Sequence, residues 1–245
     1  MKPRTLVPGA ATRTIVISDC HASKHLISNA VEHAQYEQGV DRLIFLGDVL
    51  DIGPDPKGCF VLLEELGAEM TLGNHEHSVA IGQLIYPQDP RSWWFEDFIT
   101  ERIISRSWGV ALLVEGVVLS HAGFGSRYDG EIERKGLEKF VDDVNARFFD
   151  RFMTDDREFS GDSGPLWYRP SVFNPPAEIT QIVGHTPPEL LGKWPGYITV
   201  DPYARNGFGK DRYRYATIVD GDVAVYDSID SSCEEWGESG LVAYR

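Results

Sequence analysis

Residues 15–27 have the sequence IVISDCHASKHLI, in which four residues typical of a buried strand are followed directly by an acid, a thiol and an imidazole. A helical pattern then runs from about Lys24 to Gln38. A buried strand that leads through a short polar segment into a helix is the first half of a βαβ unit. The stretch therefore predicts an α/β fold with polar side chains at the end of its first strand.

The spacing within this polar segment separates its side chains. Residues i and i+2 of an extended segment share a face, so Asp19 and His21 are predicted to point to one side and Cys20 to the other. Cys20 is therefore interpreted as a small packed residue rather than as a ligand.

The first half of the chain continues the alternation of strands and helices. A strand is predicted at DRLIFLG (41–47) and a helix at KGCFVLLEELG (57–67). A short strand at AEMTL (68–72) and a helical segment after Asn74 follow. This order predicts βαβ units in a largely parallel sheet.

The second half is richer in strands. GVALLVEG (109–116) and VVLSHAG (117–123) are predicted to be adjacent strands that meet near Glu115 and Gly116, and one helix is predicted from roughly Glu131 to Phe152. Three late strands are predicted at EITQIVGH (178–185), GYITVD (196–201) and YATIVDGDVAVYD (215–227). Asp220-Gly221 within the last of these favours a hairpin turn.

Five of the predicted strands end in polar groups that can bind metals. These groups are Asp19 and His21, then Asp48 and Asp51, then Asn74, His75 and Glu76, and finally His121 and His185. Open α/β folds place their ligand crevice at the carboxyl ends of strands, so these side chains are predicted to meet there. Carboxylate, imidazole and amide ligands suit Mn²⁺, Fe²⁺, Zn²⁺ or Mg²⁺. Asp48 is predicted to bridge two such ions, since a pair about 3.5–4 Å apart can activate a water and clamp an in-line phosphoryl displacement.

Composition limits the remaining possibilities. A chain of 245 residues with 42% hydrophobic content is predicted to form a single domain over 1–245, with 1–13 as a flexible segment. The net charge of −15 opposes duplex nucleic acid as the main partner. The sequence has no apolar run of about 18 residues and no apolar centre of a signal peptide near its N-terminus, which predicts a cytoplasmic protein without a membrane partner. Its three cysteines, Cys20, Cys59 and Cys233, argue against a disulfide framework and a cysteine zinc site.

The motifs SDCHA, GDVLD, GNHE, SHAG and GHT, in this order, resemble those of the calcineurin-like metallophosphoesterase superfamily, specifically its phosphoprotein phosphatase branch. Together with LWYRP (166–170), they are most similar to phage and bacterial members, including bacterial diadenosine tetraphosphate hydrolases. The resemblance extends from about Thr14 to Asp227. It implies an α/β fold, a four-layer α/β/β/α sandwich with two facing mixed sheets and helices on the outside.

The resemblance also implies a binuclear metal centre with two divalent ions, Mn²⁺ first, with Fe, Zn or Mg as alternatives. The first ion would be held by Asp19, His21 and Asp48. The second would be held by Asp48, Asn74, His121 and His185.

The same resemblance implies the catalytic and substrate-binding residues. His75 would be the general acid that protonates the leaving oxygen, with Asp51 orienting its ring. Arg169 would bind the phosphate oxygens, together with Asn74.

One departure from the family pattern concerns phosphate binding. The second motif normally continues into an arginine that grips the phosphate, whereas this chain has Ile52 there. Metal binding is expected to survive the change, and phosphate recognition is expected to be atypical. Arg127 and Arg205 are possible substitutes.

Three functions follow from these observations. The first is hydrolysis of phosphomonoesters by a metal-bound hydroxide, in a serine/threonine or broad-specificity protein phosphatase whose partner is a phosphorylated protein or a small phosphoester. The alternative is hydrolysis of dinucleoside polyphosphates or nucleotides, which Ile52 and RSWWFEDF (91–98) favour if its tryptophans form a lid over an aromatic group rather than pack. A non-catalytic metal-dependent module is disfavoured because His75 and every expected ligand are present. Asp201 is a candidate for the rim of the site, and His25, His33 and His77 are interpreted as structural.

Overall fold

A computed structural model describes residues 13–153, 157–190, 193–202 and 211–228, and the backbone of two further strands at 234–236 and 242–244. The expected flexible segment at 1–13 lies outside these described residues, except for Arg13. The single-domain organisation over the whole chain stays a prediction.

Strands and helices alternate in the first half, as predicted. The described residues contain eleven strands, which are β1 Thr14–Ile17, β2 Arg42–Phe45, β3 Glu69–Met70, β4 Ala111–Val114, β5 Val117–Ser120, β6 Gln181–Val183, β7 Tyr197–Thr199, β8 Arg214–Val219, β9 Asp222–Asp227, β10 Glu234–Trp236 and β11 Val242–Tyr244. The α-helices are α1 Lys24–His33, α2 Pro56–Leu66, α3 Asn74–Ala80, α4 Glu96–Ile104, α5 Asp129–Lys135, α6 Leu137–Arg151 and α7 Arg157–Ser160. Short 3₁₀ helices lie at Pro90–Phe95, Ser126–Tyr128 and Pro188–Leu190.

The strands form two mixed sheets. The seven-stranded sheet has the order β11-β10-β9-β8-β1-β2-β3, in which β1, β2 and β3 are parallel and β8 runs antiparallel to β1. The four-stranded sheet has the order β4-β5-β6-β7, with β4 and β5 antiparallel and the other pairs parallel. The predicted adjacency of β4 and β5 and the predicted hairpin between β8 and β9 are confirmed.

The two sheets face each other across an apolar layer. Successive residues of a strand point to opposite faces of the sheet. Val16 and Ile44 therefore point toward the other sheet, and their neighbours Ile15, Ile17 and Phe45 point toward the helices. The inner layer joins Val16, Ile44, Ala216, Ile218 and Val223 of the first sheet to Val117, Leu119, Ile182 and Ile198 of the second. The outer faces are covered by helices, among them α1, α2 and α6. The predicted four-layer α/β/β/α sandwich is therefore confirmed.

Helix α2 shows how local sequence sets the element boundaries. Asp55 caps its N-terminus by accepting a hydrogen bond from the Gly58 N–H, and Pro56 occupies the first helical position, where a missing N–H costs nothing. The helix ends at Gly67, which adopts a left-handed φ of 70°. The loop before Asp55 is thereby held in place, and this loop carries Asp51 and Ile52.

Three features differ from the sequence prediction. Helix α1 ends at His33 rather than near Gln38, because Gln35 adopts a left-handed φ of 50°. The predicted helix from Glu131 to Phe152 is two helices, α5 and α6, divided at Gly136 with φ 77°. Strands β10 and β11 were not predicted. In the part of the chain that the structure describes, no helix has the length and apolar character needed to cross a membrane.

Candidate active site

Most of the polar residues predicted to end the strands lie in loops with unusual backbone conformation, whereas Asn74, His75 and Glu76 begin helix α3. Five of the polar residues adopt φ between 42° and 68°, a region that non-glycine residues rarely occupy, and these are Asp19, His21, Asp48, Asp51 and His185; Ile52, next to Asp51, has φ 64°. Such conformations cluster at functional sites, where the surrounding structure holds them. The prediction that Asp19 and His21 share a face by strand alternation is wrong in its premise, because the chain is no longer extended after Ile17.

Two glycines next to these residues are required by close approach. A Cβ atom at Gly73 would lie 2.2 Å from Asp48 Oδ1, and one at Gly184 would lie 2.0 Å from Asp19 Oδ2. Neither carboxylate could keep its place beside a larger residue. The glycines of the GNHE and GHT motifs therefore allow the loops of different strands to meet.

A first cluster of possible metal ligands comes from the seven-stranded sheet. It contains His21 after β1, Asp48 after β2 and His75 after β3, all buried. The Nε2 atoms of His21 and His75 lie 3.7 and 3.8 Å from Asp48 Oδ2. The ligand atoms of the three residues lie within 4.8 Å of one another, which is close enough to share one ion.

A second cluster joins the two sheets. It shares Asp48 and adds His121 after β5 and His185 after β6. His121 Nε2 lies 3.4 Å from Asp48 Oδ2, and the Oδ1 atom of Asn74 lies 2.8 Å from His121 Nε2 and 3.0 Å from His185 Nδ1. The structure thus brings together all four residues that the sequence predicts for the second ion.

The orientation of the imidazoles fits metal binding. His21 Nδ1 donates to the Leu50 carbonyl at 2.9 Å, and His121 Nδ1 donates to the Leu46 carbonyl at 2.9 Å. In the neutral rings the proton is therefore on Nδ1, and the Nε2 lone pairs point toward Asp48 and, for His121, Asn74. Lone pairs that converge on carboxylate and amide oxygens repel unless a proton or a metal cation lies among them. Backbone carbonyls that fix the ring in this way are the usual partners of metal-binding histidines.

Burial and neighbouring charges shift the pKa values of these groups strongly. Burial lowers the pKa of His121, but Asp48 outweighs burial and raises it to about 9. Burial would raise the pKa of Asp48, yet His121 and His75 hold it well below its usual range. Burial raises the pKa of Asp19 to about 7 and lowers the pKa of His21 to about 4. The buried carboxylates thus need positive charge close by to stay ionised.

Asp19 belongs to neither cluster. Its carboxylate accepts hydrogen bonds from the His185 backbone N–H at 3.0 Å and from the Ser18 hydroxyl. Asp19 thereby links the end of β1 to the loop after β6. Its role as a ligand of the first ion stays a prediction.

His75 forms a buried dyad with Asp51. Its Nδ1 donates to Asp51 Oδ2, while Asp51 Oδ1 accepts from the Ser92 hydroxyl and from the Asp89 N–H at 2.8 Å. Burial lowers the pKa of His75, but Asp48 and Asp51 together raise it to about 9. Nothing in the sequence indicated Ser92 and Asp89, because they lie about forty residues after Asp51. Both belong to the segment 81–95 between α3 and α4, called the 81–95 insertion below, which carries no motif.

Glu76 holds the loop that carries Asp48. Its carboxylate accepts from the backbone N–H groups of Asp48 and Val49 at 2.8 Å, Leu50 at 3.1 Å and Gly73 at 3.2 Å. The sequence grouped Glu76 with metal-competent residues, whereas its oxygens are occupied by these four donors. A glutamate three residues after a helix N-cap is the pattern of a capping box, and this signal could have identified the role.

We expect Glu76→Gln to destabilise the protein by about 3 kcal/mol, because an amide replaces charge-assisted bonds and turns one donor toward backbone N–H groups. Thermal and urea unfolding would measure the loss. Glu69→Gln is the matched control, since the exposed Glu69 pairs only with Arg42 and should cost less than about 1 kcal/mol. Equal stability of the two variants would contradict the role of Glu76.

A cavity of about 390 Å³ opens above the clusters. Arg169 lines it, as does Ile52 with 44% of its surface exposed, and Asp201 contributes an acid to it. Asp201, predicted at the rim of the site, is buried and lines the cavity. Arg127 instead lies over the ring of Tyr128 and does not line the cavity. Arg205 lies outside the described residues.

The tryptophans of the 81–95 insertion do not form a lid over this cavity. Trp93 packs against the core and Trp94 is exposed, and neither lines the cavity. Tyr86 and Pro87 of the same insertion line it instead, which the sequence did not indicate. His77 is buried beside Phe148, and exposed His33 stacks on Tyr213, so these two histidines are structural as predicted.

Comparison with known proteins identifies the family of the chain. A family model for calcineurin-like phosphoesterases matches residues 12–226. Serine/threonine-protein phosphatase 1 of Salmonella typhimurium is 33% identical over 61 residues, which are 25% of this chain and 28% of that protein. The chain thus covers little more than a quarter of the length of this relative.

Solved structures share the fold. A cold-active protein-tyrosine phosphatase from a psychrophilic Shewanella species has a TM-score of 0.67 at 18% identity, over 92% of this chain and 80% of that one. A candidate diadenosine tetraphosphatase has a TM-score of 0.55 at 20% identity, over 90% of this chain and 96% of that one. Since the family model covers all five motif loops and both ligand clusters, the chain belongs to the calcineurin-like phosphoesterases.

Proposed function

We propose that the protein is a two-metal phosphomonoesterase that acts as a serine/threonine or broad-specificity protein phosphatase. The observation that carries this proposal is the pair of ligand clusters that share Asp48, together with the hydrogen bond from His75 of the first cluster to Asp51 and with Arg169 in the cavity above. This arrangement would bring bound cations, a proton donor and a guanidinium within reach of one tetrahedral phosphate.

The residues that would hold the two ions follow from the clusters and from the family pattern. The first site would use Asp19, His21 and Asp48, and the second would use Asp48, Asn74, His121 and His185. Two divalent ions, with Mn²⁺ as the first choice, would supply an activated water and neutralise the charge of the phosphate.

The other polar residues would act on the substrate directly. Arg169 would donate to two phosphate oxygens and fix their orientation, and the Asn74 side-chain amide would help to orient the phosphate. His75 would give a proton from Nε2 to the leaving alcohol, because Asp51 holds its Nδ1 proton and keeps the ring in place. Ser92 and the Asp89 N–H would in turn fix Asp51.

A panel of substrates tests the proposal. We expect the Mn²⁺-loaded protein to hydrolyse p-nitrophenyl phosphate and a phosphopeptide, and to act weakly on bis-p-nitrophenyl phosphate and diadenosine tetraphosphate. Preference for diadenosine tetraphosphate would favour the second candidate, a dinucleoside polyphosphate hydrolase. Ile52 in place of the phosphate-binding arginine is the observation that favours that candidate.

Ile52→Arg should raise kcat/KM for p-nitrophenyl phosphate by about 10- to 100-fold, since a charge-assisted contact to phosphate is worth roughly 1.5–3 kcal/mol. Ile52 lines the cavity, is partly exposed and has φ 64°, so an arginine there meets an open space, and removal of a β-branched residue relieves backbone strain. Val172→Arg adds the same charge at an exposed position outside the cavity lining and should change nothing. An unchanged or lower kcat/KM in folded, fully metallated Ile52→Arg would contradict the prediction.

A further inference from the structure

The cavity above the ligand clusters has two chemically different parts. Its floor is formed by the polar residues of the clusters, such as His21, Asp48 and Asn74. The lining also contains the apolar residues Ile52, Tyr86, Pro87, Trp167 and Leu190, which we call the apolar wall. A substrate with its phosphate on the floor would place its organic group against this wall.

The apolar wall exposes more apolar surface than folding requires. Tyr86 is 96% exposed, Leu190 is 52% exposed and Ile52 is 44% exposed. Contiguous apolar side chains at the mouth of a cavity, held in water by the fold, indicate a binding surface. Arg169 is the only Arg or Lys among the described residues that line the cavity, so the apolar wall itself offers no cation to a strongly anionic organic group.

Two aromatic residues give the wall its chemical preference. Trp167 is fixed edge-on against the His185 ring, with the ring centroids 5.8 Å apart, so it stands beside the second cluster. Tyr86 lies free of packing on the 81–95 insertion. A ring that enters the cavity can meet both in offset or edge-to-face contact, which aliphatic groups cannot do as well.

Resting on the proposed phosphomonoesterase activity, we propose that the protein selects phosphomonoesters whose organic group is an aromatic ring, and that Tyr86 is the residue that recognises the ring. The ring would lie against Tyr86 and Trp167, which both line the cavity.

The test compares benzyl phosphate with ethyl phosphate, which both release an alkyl alcohol and differ in the aromatic ring. We expect the Mn²⁺-loaded protein to have a kcat/KM for benzyl phosphate at least about 10-fold above that for ethyl phosphate, because burial of the ring adds to the aromatic contacts. Tyr86→Ala should lower kcat/KM for benzyl phosphate by about 2- to 10-fold, mainly through KM, and leave ethyl phosphate unchanged. Tyr86→Phe should keep the wild-type preference.

Phe173→Ala is the matched control, because Phe173 is as exposed as Tyr86 and does not line the cavity. It should leave both substrates unaffected. Phosphotyrosine and adenosine 5′-monophosphate then separate the two sources of an aromatic ring, one next to the phosphate and one beyond a ribose. A Tyr86→Ala loss on either of them assigns the natural source.

The outcomes separate the inference from the function on which it rests. If neither benzyl nor ethyl phosphate is hydrolysed, the proposed phosphomonoesterase activity is wrong. If both are hydrolysed with similar kcat/KM, or if Tyr86→Ala lowers both equally, the activity stands and recognition of the ring by Tyr86 is overturned.

Discussion

Asp48→Asn should abolish activity and prevent stoichiometric binding of two metal ions. Asp48 is the one residue that both clusters share, and its Oδ2 lies within 3.8 Å of three imidazole Nε2 atoms. The substitution removes the negative charge that would balance both ions. Since metal ions contribute several kcal/mol to phosphoryl transfer, kcat should fall by more than about 10³-fold. Elemental analysis of the purified variant measures the metal content directly.

Asp41→Asn is the control for loss of a carboxylate. Asp41 precedes β2 and Asp48 follows it, so the two carboxylates lie beyond opposite ends of this strand. Asp41 pairs with Arg13. This variant should keep two equivalents of metal and full activity. Two equivalents of metal in folded Asp48→Asn would refute the bridging role.

His75→Asn should lower kcat by about 10²–10⁴-fold while the metal content stays near that of the wild type. The loss follows from removal of the proton donor that Asp51 orients, and it should shrink for a good leaving group such as p-nitrophenol, which needs no proton. Rates for p-nitrophenyl phosphate and for an alkyl phosphate, measured alongside metal content, test both points.

The measurement of metal content is decisive because His75 also lies in the first cluster. Loss of one equivalent in His75→Asn would make it a ligand instead of an acid, and an equal loss of rate for both leaving groups would argue against proton donation. His33→Asn, at an exposed histidine beside Tyr213 and Tyr215, should leave rate and metal content unchanged.

The sequence was informative about the fold wherever local pattern and tertiary role coincide. The strand before Asp19 and the strand before Asp48 are short apolar runs between turns, and both are found as predicted. The hairpin at Asp220-Gly221 follows from local turn chemistry. The ends of the helices were predicted less accurately. The apolar periodicity continues across Gly136, whereas the helical backbone is interrupted there.

The sequence predicted which residues meet in the candidate site. It did not predict the backbone conformation of the site or the residues that come from outside the motifs. Strand ends indicated His121 and His185, since metal-competent side chains recur there. The left-handed backbone of Asp19 and His21 was not predictable, because it arises from hydrogen bonds to the loop after β2, as in the donation of Asp19 N–H to the Gly47 carbonyl. Ser92 and Tyr86 come from an insertion whose position over the site depends on tertiary packing.

The origin of the second cluster in both sheets has a consequence for the lifetime of the chain. Asp48 belongs to one sheet and His121 and His185 to the other, so an ion bound there would fasten the two halves of the sandwich together. Separation of the sheets would then require release of the ion, and a ligand present at 100 times its dissociation constant adds about 2.7 kcal/mol to the free energy of unfolding. Opened chains are the ones that proteases cut. A cell short of the metal would therefore lose the protein itself to degradation, and the supply of the ion would regulate abundance as well as rate.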